Sequence, residues 1–298
     1  MRENKVVYGL IGYGGMGRWH TEILSNVPEA VIGGIYDIKE EKREEAKEKG
    51  FSVYETEEAM LADPEIDVVL IATPNDCHKP IAIRAMHAGK NVISEKPVTL
   101  SSADLLEMEN AAKETGKLLT VHQNRRWDDD FLIIKKLVEE QKLGHVFRIE
   151  SRVHGSRGIP GDWRKEKVHG GGMVLDWGVH LLDQILYMYG DRKLETVYAS
   201  LTNITNQEVD DGFTAILTFE GGTEVLVEVG TNNYISLPRW YVLGEDGTAV
   251  IRDWQLNGEI IRKTGKTEET VVPVKTAAGL TKTMAPRRED TIVKEDLP

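Results

Sequence analysis

The chain has 298 residues, enough for one or two domains with a sizeable core. Its 40% hydrophobic and 29% charged content is ordinary for a globular protein, and a net charge of −12 argues against nucleic acid, whose phosphates it would repel. One cysteine, Cys77, excludes an internal disulfide, and no run of about 18 apolar residues offers a transmembrane helix. Met1-Arg2-Glu3-Asn4-Lys5 leads directly into a strand, without the apolar region and cleavage site of a signal peptide, so a cytoplasmic protein is expected.

Val6 to Ile11 has the length and β-branched content of a buried strand. Gly12-Tyr13-Gly14-Gly15-Met16-Gly17 follows at once. In this pattern Gly12 permits a tight turn, Gly14 lets backbone approach a pyrophosphate, and Gly17 allows close helix–strand packing. A helix starting near Gly15 turns its unpaired N–H groups and its dipole towards the phosphates. A second strand, Ala30 to Tyr36, ends in Asp37, about twenty residues beyond Gly17, the spacing of a carboxylate that grips a ribose diol. Asp37 favours NAD by repelling a 2′-phosphate; Lys39 leaves NADP open.

Strands and helices then alternate to His122. Lys39 to Lys49 predicts a solvated helix with Gly50 as its stop, Phe51 to Tyr54 a short strand, and Thr56 the cap of a short helix. Asp67 to Ala72 is a buried strand running into Thr73-Pro74-Asn75-Asp76-Cys77-His78. A loop at the carboxyl end of such a strand lies on the ligand edge of the sheet, so Thr73, Asn75 and His78 are candidates for dinucleotide contact. His78 also reads as a plain helix-start residue. Helix 81–88 and strand 91–94 deliver Glu95-Lys96-Pro97 to the same edge, where a lysine reaches the space between nicotinamide and substrate; Lys96 equally reads as a surface lysine in a turn. A capped helix from Ser101 to Thr115 and a sixth strand, Leu118 to His122, close the series before Gln123-Asn124-Arg125-Arg126-Trp127.

The second half changes character. A helix is expected from Asp128 or Asp129 to Gln141 and a strand over 146–153; a long glycine-rich loop from His154 to Gly172 holds Trp163 and Arg164. Helix 173–189 carries Asp176 and His180 four residues apart, hence on one face, with Asp183 a turn further. An acid one turn from a histidine orients its ring and stabilises the imidazolium, which suits proton transfer. The same pair also reads as core, or as metal ligands, but no Cys cluster or HExxH spacing supports a metal and none is expected. From Glu195 the chain is mostly strands joined by hairpin turns such as Gly221-Gly222 and Asn257-Gly258, giving an antiparallel sheet. The tail from Thr283 to Pro298 shows no evident structure.

Together, Gly12-Tyr13-Gly14-Gly15-Met16-Gly17, Thr73-Pro74-Asn75 with His78, Glu95-Lys96-Pro97, and Gly171-Gly172 followed by Asp176-x-Gly178-x-His180 with Asp183 resemble the Gfo/Idh/MocA family of oxidoreductases. The resemblance covers nearly the whole chain and is loosely nearest to the inositol and polyol dehydrogenase branch. It implies an α/β protein: a Rossmann NAD(P)-binding domain, 1–122, and a substrate-binding and oligomerisation domain, 123–298, with a large, mainly antiparallel sheet. That sheet commonly forms the interface of a homodimer or homotetramer. Family members usually continue into helices that pack back on the nucleotide domain; this chain ends at Pro298 and is expected to lack them.

The resemblance places Glu95-Lys96-Pro97 beside the nicotinamide and makes His180 the acid/base candidate. The expected reaction is hydride transfer between a sugar or cyclitol carbon and NAD, with NADP open, on a small-molecule substrate. Cofactor contacts are assigned to Gly12, Gly14, Gly15, Met16, Gly17, Asp37, Thr73, Pro74, Asn75, His78, Glu95, Lys96 and Asn124. Lys96, Asp176 and His180 are the expected catalytic residues, with Asn124, Trp163 and Arg164 joining Asp176 and His180 around the substrate. Two other outcomes are a glycosidase that uses NAD transiently and a non-catalytic cofactor-sensing protein.

Overall fold

The computed structural model describes residues 4–265 and 267–298. The chain divides into two compact units. Unit one comprises Met1–Asn124, Ile159–Val179 and Thr205–Asp210; unit two comprises Arg125–Gly158, His180–Ile204 and Asp211–Pro298. Two later segments, Ile159–Val179 and Thr205–Asp210, pack with the first unit, so neither unit is one consecutive stretch of chain.

Among the described residues, unit one is built on a parallel sheet of β1 (Val6–Ile11), β2 (Ala30–Tyr36), β3 (Val68–Ile71), β4 (Asn91–Ser94) and β5 (Leu119–Val121), in the order β2-β1-β3-β4-β5. The near-continuous apolar runs of β1 and β3 follow from burial on both faces. Helices α1 (Gly15–Leu24), α2 (Glu40–Glu48), α3 (Glu57–Ala62), α4 (His78–His87) and α5 (Ser102–Thr115) connect the strands. Thr56 and Ser101 cap α3 and α5 by accepting from Ala59 N–H (3.1 Å) and Asp104 N–H (3.2 Å). One side of the core gathers Val7, Ile71, Met60, Met86 and Met108; another gathers Leu10, Tyr13, Ile35 and Ala46.

The expected strand at 51–54 is reduced to a single bridge between Val53 and Ile35, so β5 is the fifth strand and not the sixth. Phe51 to Tyr54 lies alongside β2 with its backbone bonded to Ile35, which satisfies the chain without extending a ladder.

Unit two holds α6 (Asp129–Glu139), most of α7 (Val179–Met188) and an eight-stranded sheet. Its strands are β6 (Val146–His154), β7 (Leu194–Thr202), β8 (Gly212–Phe219), β9 (Glu224–Gly230), β10 (Trp240–Gly244), β11 (Gly247–Ile251), β12 (Gly258–Lys263) and β15 (Ile292–Glu295). The order is β15-β12-β11-β10-β6-β9-β8-β7; all pairs are antiparallel except β6–β9. Strict alternation along β8 and β9 buries Phe213, Ala215, Leu217, Val225, Val227 and Val229 on one face. Trp240, fully buried, donates its indole N–H to Asp130 (2.8 Å). A separate hairpin, β13 (Glu268–Thr276) with β14 (Gly279–Glu289), and the edge strand β15 occupy most of the stretch expected to lack structure. Their pairing partners are each other and β12, a tertiary choice that charged, weakly apolar segments do not announce.

Candidate active site

Because β1 to β4 run parallel, Gly12, Asp37, Thr73 and Lys96 all follow strand ends on one edge of the sheet. Gly12 has φ +96°, and a Cβ there would stand 2.5 Å from the Ala72 carbonyl oxygen. A Cβ on Gly17 would stand 2.1 Å from the Gly12 carbonyl oxygen, so α1 and the turn touch backbone to backbone. Gly14 and Gly15, by contrast, face open space. Gly14 caps α1 without a side-chain hydrogen bond, leaving the first-turn N–H groups of Gly15, Met16 and Gly17 to outside acceptors. The unpaired N–H groups and the helix dipole suit a diphosphate's negative charge. Asp37 is fixed by the N–H groups of Tyr13 (2.6 Å) and Lys39 (2.9 Å), one to each carboxylate oxygen, and each oxygen retains accepting capacity for a ribose hydroxyl.

Asn75 and His78 sit deeper than a contact edge requires. Asn75 is buried and donates to the Gly170 carbonyl (2.9 Å), joining the loop after β3 to the 159–179 segment. His78 is fully buried, with Nδ1 2.8 Å from the Pro97 carbonyl and Nε2 3.0 Å from that of Thr73. Burial, the largest influence, holds its imidazole below the usual range. The structure thus gives His78 the position of a strut between two edge loops and not that of an exposed dinucleotide contact. Thr73, Pro74 and Asn124 remain partly exposed.

Lys96, joined to Pro97 by a cis peptide, extends its ammonium to Asp176: 2.9 Å to the carbonyl and 3.0 Å to Oδ1. Arg164 reaches the same Oδ1 at 3.3 Å, pairs with Asp162 at 2.7 Å, and lies 4.6 Å from the Trp163 ring centre. Burial pushes the Asp176 carboxyl up, but the Lys96 and Arg164 charges outweigh it and hold the group below the ordinary carboxylate range. Lys96, Asp176, Arg164 and Trp163 are therefore gathered in unit one. Glu95, the neighbour of Lys96, is buried. Its Oε1 accepts from His20 (2.7 Å) and His122 (3.0 Å), and its Oε2 accepts the Lys96 backbone N–H (3.1 Å).

The helix carrying Asp176 opens with a π turn, Val174–Gly178, before α7. The four-residue spacing that puts Asp176 and His180 on one α-helical face is consequently interrupted by wider winding. Asp210 receives the N–H groups of Met173 and Val174 at that start. The unit boundary falls in this run: Asp176 belongs to unit one and buried His180 to unit two. Asp183, in unit two, makes a two-bonded ion pair with Arg126 at 2.6 and 2.7 Å.

Residues 6–123 match the family described as "Oxidoreductase family, NAD-binding Rossmann fold", and residues 131–250 match the GFO/IDH/MocA C-terminal domain. The chain belongs to the Gfo/Idh/MocA oxidoreductase family. Its fold is similar to an NAD-binding protein from Listeria innocua, at 49% identity and TM-score 0.87, covering 99% of this chain and 82% of that one. Relatives include the scyllo-inositol 2-dehydrogenase (NADP(+)) IolW of Bacillus subtilis, 31% identical over 81% of this chain and 67% of its own length. The myo-inositol 2-dehydrogenase of Thermotoga maritima is 31% identical over 72% of this chain and 65% of its own length. The matched stretches span about half to two thirds of the curated relatives' length. Among the described residues no helix is long and apolar enough to cross a membrane.

Within this Gfo/Idh/MocA framework, sequence reasoning passed over His20, His122 and Asp210. His20 follows Gly17 by three residues, so it falls one turn further on the helix; His122 directly follows β5 on the ligand edge. Those two positions were the available signal. Asp210 gave none, because its partner lies in a distant segment.

Proposed function

We propose that the chain is an NAD-dependent dehydrogenase acting on a CH–OH group of a sugar or cyclitol, with NADP as the alternative cofactor. The observation that carries this reading is the Lys96–Asp176–Arg164 cluster on the same sheet edge as the open glycine turn. The inositol dehydrogenases among the relatives favour a polyol substrate.

Gly14, Gly15, Met16 and Gly17 would hold the diphosphate, Asp37 the adenosine ribose, and the loop at Thr73-Pro74-Asn75 the rest of the dinucleotide. Bound nicotinamide supplies hydride exchange with the substrate carbon. Lys96 donates to the substrate oxygen. Asp176 occupies two acceptor positions around the ammonium, which leaves one of its three N–H groups for a ligand. That donor is pre-aimed and stabilises negative charge as it develops on the oxygen. Asp176, ionised and paired, fixes the ammonium; Trp163 and Arg164 contribute to the substrate wall, together with Asn124. His180 is assigned the proton transfer to and from the hydroxyl on its residue type and its place after Asp176 in the motif. A second copy of the chain, docked through the eight-stranded sheet, completes the proposed oligomer.

The test mixes protein, NAD or NADP, and a panel of inositols, hexoses and aryl glycosides, and follows nicotinamide absorbance and aglycone release together. Net reduction of the cofactor with a polyol is expected. Aglycone release without net reduction makes the protein a glycosidase, and absence of both leaves a cofactor-binding regulator.

A further inference from the structure

We propose that Glu95, clamped between His20 and His122, is a positioning residue that sets Lys96 and ties its placement to the helix behind the glycine turn. The inference rests on the reading of Lys96 as the catalytic lysine.

The cluster lies wholly in unit one. His20 sits on α1 and is 4% exposed; Glu95 is 5% exposed. An ionised carboxylate accepts only, so both imidazoles must present N–H groups to Oε1. The rings pack edge to face at 4.7 Å between centroids, with Trp19 against both at 5.2 and 5.6 Å. Burial pushes the Glu95 carboxyl up, but the hydrogen bonds from His122 and His20 outweigh it and hold the group well below the usual range. The other oxygen takes the Lys96 backbone N–H.

Lys96 is therefore held at both ends: its main chain by Glu95 and its ammonium by Asp176. The main chain around the clamp is itself stiff. Glu95 N–H donates to Ile71 and His122 N–H to Ser94, at 3.0 and 2.8 Å. A buried ion that only filled space would be inferior to an apolar side chain of similar volume. Here every oxygen of the carboxylate is used, and two of its three contacts come from elements flanking the dinucleotide edge: α1 and the end of β5. Displacement of α1 is thereby transmitted to the residue preceding Lys96.

Glu95→Gln tests this in the full chain. The amide nitrogen either opposes the Lys96 N–H or obliges both imidazoles to change tautomer and accept from it, so the charged clamp is lost while volume is kept. Lysine side chains are followed by NMR in unmodified protein labelled with ¹³Cε-lysine, with the Lys96 resonance assigned by its disappearance in K96R. E95Q is expected to shift that resonance and its pH profile and to lower the melting temperature, the protein staying folded at the assay temperature with an NAD dissociation constant close to wild type. Turnover of the best polyol from the panel falls about 10²-fold in kcat, the scale of a misplaced reacting group, with KM little changed. Glu95→Asp, which keeps the charge, restores part of the loss. An unchanged Lys96 resonance in folded E95Q overturns the proposal, as does a stoichiometric transition metal in the purified protein that E95Q abolishes. If E95Q does not fold, His122→Asn, whose ring is 27% exposed, is read the same way. Full activity in Lys96→Met defeats the proposed function; an inactive K96M beside a fully active E95Q defeats only this inference.

Discussion

Gly14 and Gly17 offer a paired test of the dinucleotide turn, because a methyl group meets different surroundings at each. On Gly17, the added carbon would lie 2.1 Å from the Gly12 carbonyl oxygen, whereas ordinary contact begins near 3.4 Å. The backbones must part by about 1.3 Å, and neither partner is a flexible side-chain end. Overpacking of this kind costs about 1–3 kcal/mol. Gly17→Ala should therefore lower the melting temperature and weaken NAD binding together, since α1 and the turn move apart. On Gly14, the carbon meets nothing within 4 Å, and φ −77° is open to alanine. Gly14→Ala should leave the free protein's stability within about 1 kcal/mol, the change reflecting the weaker N-cap. Its carbon enters the space assigned to the diphosphate, and a comparable 1–3 kcal/mol penalty there weakens NAD binding about 5- to 140-fold. Calorimetric titration with NAD and thermal melting followed by circular dichroism measure the two quantities. If Gly14→Ala binds NAD as tightly as wild type, the turn is not the phosphate cradle.

Lys96→Met and Asp176→Asn should each lower turnover of the responsive polyol by about 10²–10⁴-fold with NAD affinity nearly intact; an equal loss of NAD affinity in both would contradict their roles. Asp37→Ser removes the carboxylate whose two oxygens accept from the Tyr13 and Lys39 N–H groups, and should weaken NAD while narrowing its advantage over NADP, read as the ratio of the two dissociation constants. His78, Glu95 and Asp176 are all held below their ordinary values, so each favours the folded state above its unfolded pKa, and that stabilisation is lost as pH falls towards the folded value. Melting temperature should thus decline on acidification below about pH 6.5, first through His78, and again below about 4.3 through the carboxylates. His78→Gln should flatten the first decline; a melting temperature that rises from pH 7 to pH 5 would contradict the assignment.

The glycine turn, Asp37 and the edge loops were legible because their chemistry is local. Each depends on a strand end and the few residues after it, and one apolar run identifies each strand. Lys96 and Asp176, 80 positions apart, could be named by motif, but their direct pairing required the 159–179 segment to pack with the first unit. That packing is held by contacts such as Asn75 to Gly170, which have no periodicity to read. The π turn at Val174–Gly178 escaped for a similar reason: apolar spacing reports a helix, not its winding. Val53 was read as strand because its residues suit one, yet only one bridge forms. The β13–β14 hairpin escaped because exposed Val271, Leu280 and Met284 form no buried face to betray it.

The single parallel pairing in the large sheet has a consequence during synthesis. Strand β6 is flanked only by β9 and β10, and Arg148 sits opposite Glu224, 76 positions downstream. At about 5–20 residues per second, a ribosome needs roughly 4–15 s to deliver that partner. For this interval the nascent strand shows both bare edges, and its inward apolar residues, Val146 and Ile149, have no sheet neighbours to shelter them. Synonymous codons that slow translation between positions 154 and 224 would lengthen that exposure and raise the demand for chaperones without altering one residue of the finished protein.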